Sequence, residues 1–423
     1  MCLWVTGDPH EVVTFLNDVS QAVARLEDLT DEDLAQEKDV LAAELGQQGL
    51  GFDEGLAAYR WGASGLGLVD LGAPTLHSIT RDEVVEWGRR WLTSGNAMLS
   101  FNGPVPEALD VSLPPGPEPQ RSETMVPLSP TPSLIGSMKD GLALSLLTDQ
   151  TTSPLLAAAL ADELKHELRH ERRLIYSVDR WSVRVDEDQQ ACAFVLDPRL
   201  DDVEATAVAA VKLLRRLAAE GFSDRALAAV TSSCRTSLSY VDAAASGHLD
   251  EVVVDTLRGR TTTSLEEHLA AAEAVTSEQL SNLLAAAMPS VQVAVCDAID
   301  LSTDDLTSLG LTVDPFRGWV DGAQTADSGK TYRSRRFGGD LPAGLKLTLG
   351  AERMTIAHGS DRMTVTYADL AVVGRHECGC FELLDRQGRV AKLDPDDWRQ
   401  GADLASAFLE RFDPGSVRTL PSH

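Results

Sequence analysis

Polar and apolar positions alternate in short runs through the C-terminal part of the chain, at 345–349, 354–357, 363–367, 370–373, 380–384 and 390–393, with Gly, Asp or Ser between them. Such short, often alternating runs predict the strands of a β-meander. Asp394-Pro395-Asp396-Asp397-Trp398 then opens a last helix with Leu404, Phe408, Leu409 and Phe412 on one face. Upstream the pattern is helical. A Thr followed by an acidic first turn opens helices at Thr80 and at Thr276, and each leads to an apolar run, 97–101 and 291–295, predicted as a strand. A long helix is predicted over 154–172, its core side marked by Leu164 and Leu168.

Proline and glycine divide the chain. Leu113-Pro114-Pro115-Gly116-Pro117-Glu118-Pro119, with Pro127, Pro130 and Pro132, reads as an extended linker over 113–132, because proline lacks the N–H that helices and central strands need. A second linker is predicted over 318–340. The blocks they separate, 1–112, 133–317 and 341–423, are the expected domains. The first two look duplicated: Leu29-Thr30-Asp31-Glu32-Asp33-Leu34 pairs with Gly221-Phe222-Ser223-Asp224-Arg225-Ala226-Leu227, and Thr80 with Thr276, at offsets of about 193 and 196 residues. The fold class expected is α+β: two duplicated α+β sandwich domains and a small β-rich domain closed by a C-terminal helix. The same offset maps the 154–172 helix to before residue 1, so the first domain is expected to be truncated at its N-terminus.

Charge narrows the function classes. Lys and Arg number 37 against 65 Asp and Glu, a net charge of −28, which repels phosphate backbones and argues against nucleic-acid binding. Hydrophobic residues make up 43%, enough for sizeable cores. The richest apolar run, 155–161, is far shorter than the ~18 residues a membrane helix needs. Six cysteines are too few for a disulfide framework, and the first residues lack a basic segment followed by an apolar one, so the expected location is the cytoplasm.

His166-Glu167-Leu168-Arg169-His170 fits H-E-x-x-H, which places two imidazoles one helical turn apart as zinc ligands beside a glutamate base. Against that stands a charged outer face of an amphipathic helix. The acidic turn Asp186-Glu187-Asp188 has no helix to aim a third ligand back, and no further His follows at the metzincin spacing. His376, Cys378 and Cys380 share one face if they lie on a strand, where ordinary packing is the expected role. His10 has no ligand partner one helical turn away.

The segment Leu168-Arg169, then Leu174-Ile175-Tyr176-Ser177-Val178, resembles the L-R-E-x-x-G-L-x-Y-x-V signature of the insulysin/pitrilysin family of inverted-motif zinc peptidases. Glu37-Lys38-Asp39-Val40-Leu41-Ala42-Ala43-Glu44 is similar to that family's E-R-x-x-V-x-x-E helix. The 141–156 segment, the Gly221-Phe222-Ser223 turn and the helix start at 274–279 also fall where the family has them. The resemblance covers about residues 1–317. It implies that Arg169 and Tyr176 are a substrate-binding pair and that Glu44 stands at the third zinc-ligand position. Two departures are His170 for the usual acidic residue and Arg173 for the usual Gly, which bears on the turn before Leu174. No H-x-x-E-H, the family's ligand and base motif, occurs in the chain.

A guanidinium and a phenol aimed at one point can hold a peptide carbonyl and a developing oxyanion. The resemblance implies four such domains around a chamber, in one chain or two, with one subunit often catalytically silent. The expected function is a non-catalytic, substrate-binding subunit of a heterodimeric insulysin-like zinc metallopeptidase that processes peptides, inactive alone, with zinc held by its catalytic partner. The surplus of carboxylates points toward basic peptides. Two alternatives are a peptidase-fold scaffold and, were the true N-terminus upstream, an active enzyme. The third domain resembles the pleckstrin-homology-like fold, which implies docking to a protein or a lipid, and protein is favoured without a basic patch.

Overall fold

The structure, a computed structural model, describes residues 3–45, 55–71, 73, 75–118, 125–138, 141–149, 152–186, 188–257, 259–296, 299–314, 328–335, 341, 344–358 and 361–420. In chain order its helices are α1 (Pro9–Ala24), α2 (Asp31–Leu45), α3 (Leu56–Trp61), α4 (Arg81–Trp91), α5 (Ser153–Leu164), α6 (Val203–Glu220), α7 (Asp224–Ser239), α8 (Val241–Leu257), α9 (Leu265–Ala274), α10 (Ser277–Ala287), α11 (Asp304–Thr307) and α12 (Gly401–Leu409). The strands are β1 (Ser133–Met138), β2 (Leu142–Asp149), β3 (Ile175–Arg184), β4 (Gln189–Pro198), β5 (Gln292–Cys296), β6 (Thr312–Asp314), β7 (Lys330–Arg333), β8 (Lys346–Leu349), β9 (Arg353–His358), β10 (Asp361–Thr366), β11 (Leu370–His376), β12 (Phe381–Asp385), β13 (Val390–Leu393) and β14 (Val417–Leu420). Helices and sheets are both present, and the fold class is α+β.

The chain divides into two compact units: residues 1–44, 79–123 and 228–275, and residues 45–78, 124–227 and 276–423. The first unit is helical. Thr80 and Glu83 form a reciprocal cap on α4, and Ser264 and Glu267 do the same for α9. Arg81 donates to the carbonyls of Leu29 and Glu27, and Arg89 pairs with Glu27 at 2.6 Å. The run 97–101, predicted as a strand, is not one. A strand exists only by pairing, and among the described residues none lies beside it. Leu99 is exposed accordingly.

The second unit holds a six-stranded sheet in the order β3-β4-β2-β5-β1-β6. Strands β3, β4, β2 and β5 run antiparallel, and β1 lies parallel between β5 and β6. Residues of β2 and β5 are almost all buried, because both faces of the sheet centre are covered. Helices α5, α6 and α10 pack around this sheet, and Leu160, Leu164, Val211, Leu214, Leu280 and Leu284 are fully buried. Helix α3 also packs on β2 and β5. Its Ala57 and Trp61 pack with Val185, Ala191 and Met125, while Arg60, 1% exposed, donates from Nη2 to the Ser290 carbonyl at 2.8 Å and lies 3.4 Å from Ser145 Oγ. Burial pulls the Arg60 guanidinium down to about 10.

In the same unit, the meander predicted at the C-terminus forms two four-stranded sheets, β10-β9-β8-β7 and β13-β12-β11-β14. Helix α12 closes them: Leu404 and Phe408 join Tyr332, Trp398 and Phe381 in one core, and Phe408 and Phe412 stack edgewise on Tyr367. Strand β14, parallel to β11, extends the architecture beyond the sequence-based expectation. Strand β7 lies inside the segment predicted as the second linker; 318–327 and 336–340 of that segment, like 119–124 of the Pro-rich one, lie outside the described residues.

Candidate functional site at the end of helix α5

The 154–172 helix forms as predicted, but its last turns differ. Helix α5 passes without a break into a π-helical stretch, Lys165–Glu171, of the kind that often marks functional positions. The Arg172 N–H donates to the Glu167 carbonyl at 3.0 Å and the Leu174 N–H to that of Leu168 at 2.8 Å. Between them Arg173 takes φ +58°, the left-handed conformation that favours glycine. The resembled signature has Gly at this position, and Arg173 takes a glycine-favouring φ despite its Cβ.

The chain then enters β3, at the edge of the six-stranded sheet. The pairing of β3 with β4 is interrupted between Ile175 and Val178, and Asp197 fills the gap by accepting the N–H of Tyr176 at 2.8 Å and that of Ser177 at 2.5 Å. This turns the Tyr176 side chain outward, where it is 73% exposed. The Arg169 guanidinium lies over its ring, 5.0 Å from the centroid. The two side chains that the resemblance singled out, seven residues apart, therefore meet at one exposed point.

The same helix end carries an ionic framework built on two buried carboxylates. Glu167 accepts from Arg172 Nε at 2.8 Å and from Arg216 Nη2, on α6, at 3.0 Å. Burial raises the Glu167 pKa, but the two arginines outweigh it and hold the carboxyl below its usual range. One turn earlier, Glu163 accepts the Ser223 N–H at 3.0 Å and pairs with Arg225 at 2.7 Å. These contacts tie α5 to α6 and to the Gly221-Phe222-Ser223 turn. Asp197, Arg216 and the Glu163–Arg225 pair were missed from sequence. Their partners lie 20 to 62 residues away, and only the apolar turn at 221–223 hinted at one of them.

The H-E-x-x-H reading does not survive this geometry. Glu167, its would-be base, is engaged by two arginines; the His166 and His170 rings are 6.3 Å apart, and His166 Nε2 lies 3.1 Å from Glu171 Oε1. Glu44 is exposed on α2 in the first unit. Among the described residues no group of three or more His, Cys, Asp or Glu side chains could hold a metal. The described residues at this helix end do not fit zinc.

His376, Cys378 and Cys380 are not on one strand face. His376 ends β11 and is buried 3.7 Å from Glu382, Cys378 sits in the turn, and Cys380 precedes β12. His10 is on α1, exposed, its backbone N–H bonded to the Asp8 cap.

No family model matches the chain, and no curated protein matches it in sequence. Solved structures do resemble it in shape. The inactive domain of a peptidase M16 from Pseudomonas fluorescens is 15% identical over 63% of this chain and 70% of that one, with a TM-score of 0.48. The periplasmic protease PqqL from Escherichia coli is 15% identical over 86% of this chain, which spans only 45% of that protein, at a TM-score of 0.49. A predicted insulinase family protease from Yersinia pestis is 17% identical over 72% and 74% of the two chains, at 0.45.

Proposed function

We propose that this protein is a non-catalytic, peptide-binding subunit that works with a zinc-bearing insulysin-like partner. The observation that carries the reading is the meeting of Arg169 with the exposed Tyr176 on an edge strand, at the end of a helix that buried carboxylates tie to its neighbours. A guanidinium with five donors and a phenol hydroxyl suit a peptide carbonyl. The resemblance supplies the rest of the proposal: the metal and the base belong to the partner, and the two subunits form a heterodimer. A cytoplasmic location accords with the few cysteines. The C-terminal unit of two meanders and a closing helix is read as a pleckstrin-homology-like docking module for a protein.

The test combines co-purification with activity. The chain should co-purify with a gene-neighbour product that carries H-x-x-E-H, and the pair should cleave peptides in a chelator-sensitive manner. Replacing Arg169 by Ala and Tyr176 by Phe together should lower kcat/KM by about 10- to 100-fold, the loss of two hydrogen bonds at about 1 kcal/mol each. Unchanged activity of the double variant would favour a scaffold instead. Chelator-sensitive cleavage by the isolated chain would overturn the proposal outright.

A further inference from the structure

We propose that Cys378-Gly379-Cys380, at the tip of the β11–β12 hairpin, is a dithiol that reacts with low-molecular-weight disulfides and closes to an intrachain disulfide. The two sulfurs already lie 2.7 Å apart, closer than ordinary packing of two thiols. The turn is held by the His376 N–H on the Cys380 carbonyl and the Gly379 N–H on the His376 carbonyl, both at 2.9 Å. Gly379 takes φ +93°, and among the described residues no atom beyond its two chain neighbours lies within 4 Å of where its Cβ would stand.

The pair is asymmetric, which orders the chemistry. Cys378 is exposed and Cys380 is buried. Burial, then the neighbouring Cys378, pushes the Cys380 thiol up to about 12, so it is the poorer first nucleophile. The Cys378 thiolate attacks one sulfur of glutathione disulfide; that S–S bond breaks and one glutathione thiolate leaves and is protonated. Cys378 then carries no proton or charge to oppose ionisation of Cys380. The Cys380 thiolate attacks the Cys378 sulfur and expels the second glutathione. The two cysteines lose two electrons and two protons, and the disulfide reagent gains them as two thiols.

The experiment uses the full chain, incubated with oxidised glutathione, alkylated and digested with trypsin. Arg375 and Arg386 bound a peptide, residues 376–386, that contains both sulfurs. The expected result is that this peptide becomes lighter by about two hydrogen masses and resists alkylation until reduced. Cys380→Ser should instead retain glutathione on Cys378, and Cys378→Ser should form no ring. A wild-type peptide that keeps two alkylatable thiols, or that retains the glutathione adduct without closing, would overturn the proposal. So would protection of both thiols by a metal that a chelator releases. The wild-type mass alone decides, so a misfolded variant does not blunt the test.

Discussion

Arg173 shows how a single residue can work against its own backbone. Its left-handed φ costs an L side chain roughly 1 kcal/mol relative to glycine, and the chain accepts that cost to turn from α5 into β3. Arg173→Gly should therefore raise the stability of the protein by up to about 1 kcal/mol, read from urea unfolding; a loss of stability would mean the Arg173 side chain contributes more than its backbone costs. Glu167 is the opposite case, a carboxylate that its surroundings reward. Because its pKa in the folded protein lies below the unfolded value of 4.5, its contribution is fully present above that value and is lost as pH falls through the folded one. Glu167→Gln should flatten the acid limb of the stability–pH curve below about pH 5, and at neutral pH it should cost about 2 kcal/mol, since two arginines lose a charged acceptor. An acid limb identical to wild type would remove Glu167 from the framework.

At the scale of elements, α3 is the least predictable piece and among the most deeply buried. Leu56, Ala57, Ala58, Tyr59, Arg60 and Trp61 are all buried. Gly62, which ends the helix at φ +68°, leaves no room for a side chain: a Cβ there would meet the Arg386 carbonyl oxygen at 2.1 Å. Gly62→Ala should destabilise by about 2 kcal/mol or more, through both the strained φ and the clash with backbone. Arg60 makes the converse case. A buried guanidinium that, among the described residues, donates to one carbonyl and one hydroxyl is costly to desolvate, and Arg60→Met, which keeps the aliphatic volume, should leave stability unchanged or raise it by about 1 kcal/mol. A loss of more than that would mean the Ser290 contact outweighs desolvation. The segment containing α3 was assigned from sequence to the first block, yet it packs in the second unit. Its apolar run at 56–61 carries no periodicity to say which core it joins.

For the whole molecule, the net charge of −28 is the dominant long-range property. Like charges repel most in the compact state, so raising NaCl from about 10 to about 200 mM should increase the urea midpoint as the charges are screened. The same screening should weaken binding of a basic peptide if peptides are the ligand; indifference of both to salt would show that the carboxylates are already locally compensated. Much of the architecture was legible along the chain. Helix starts at Asp31 and Arg81 stand against Asp224 and Ser277, at the offsets the repeat implied, because caps and acidic first turns are local signals. The alternation of the C-terminal strands was equally local, as was the face of α12. The sequence by itself thus determined where the helices at Asp31, Arg81, Asp224 and Ser277 begin, which C-terminal segments alternate, and that Arg169 and Tyr176 sit at a helix end and a strand start, while the last helix starts at Gly401 rather than at Asp394. Only the tertiary structure decided that these two side chains meet, that Glu167 is an ionic tie, that 97–101 has no strand beside it among the described residues, and that α3 enters a core far along the chain. Caps and periods act over a few residues, whereas ion pairs, strand pairing and burial are set by whatever the fold brings alongside.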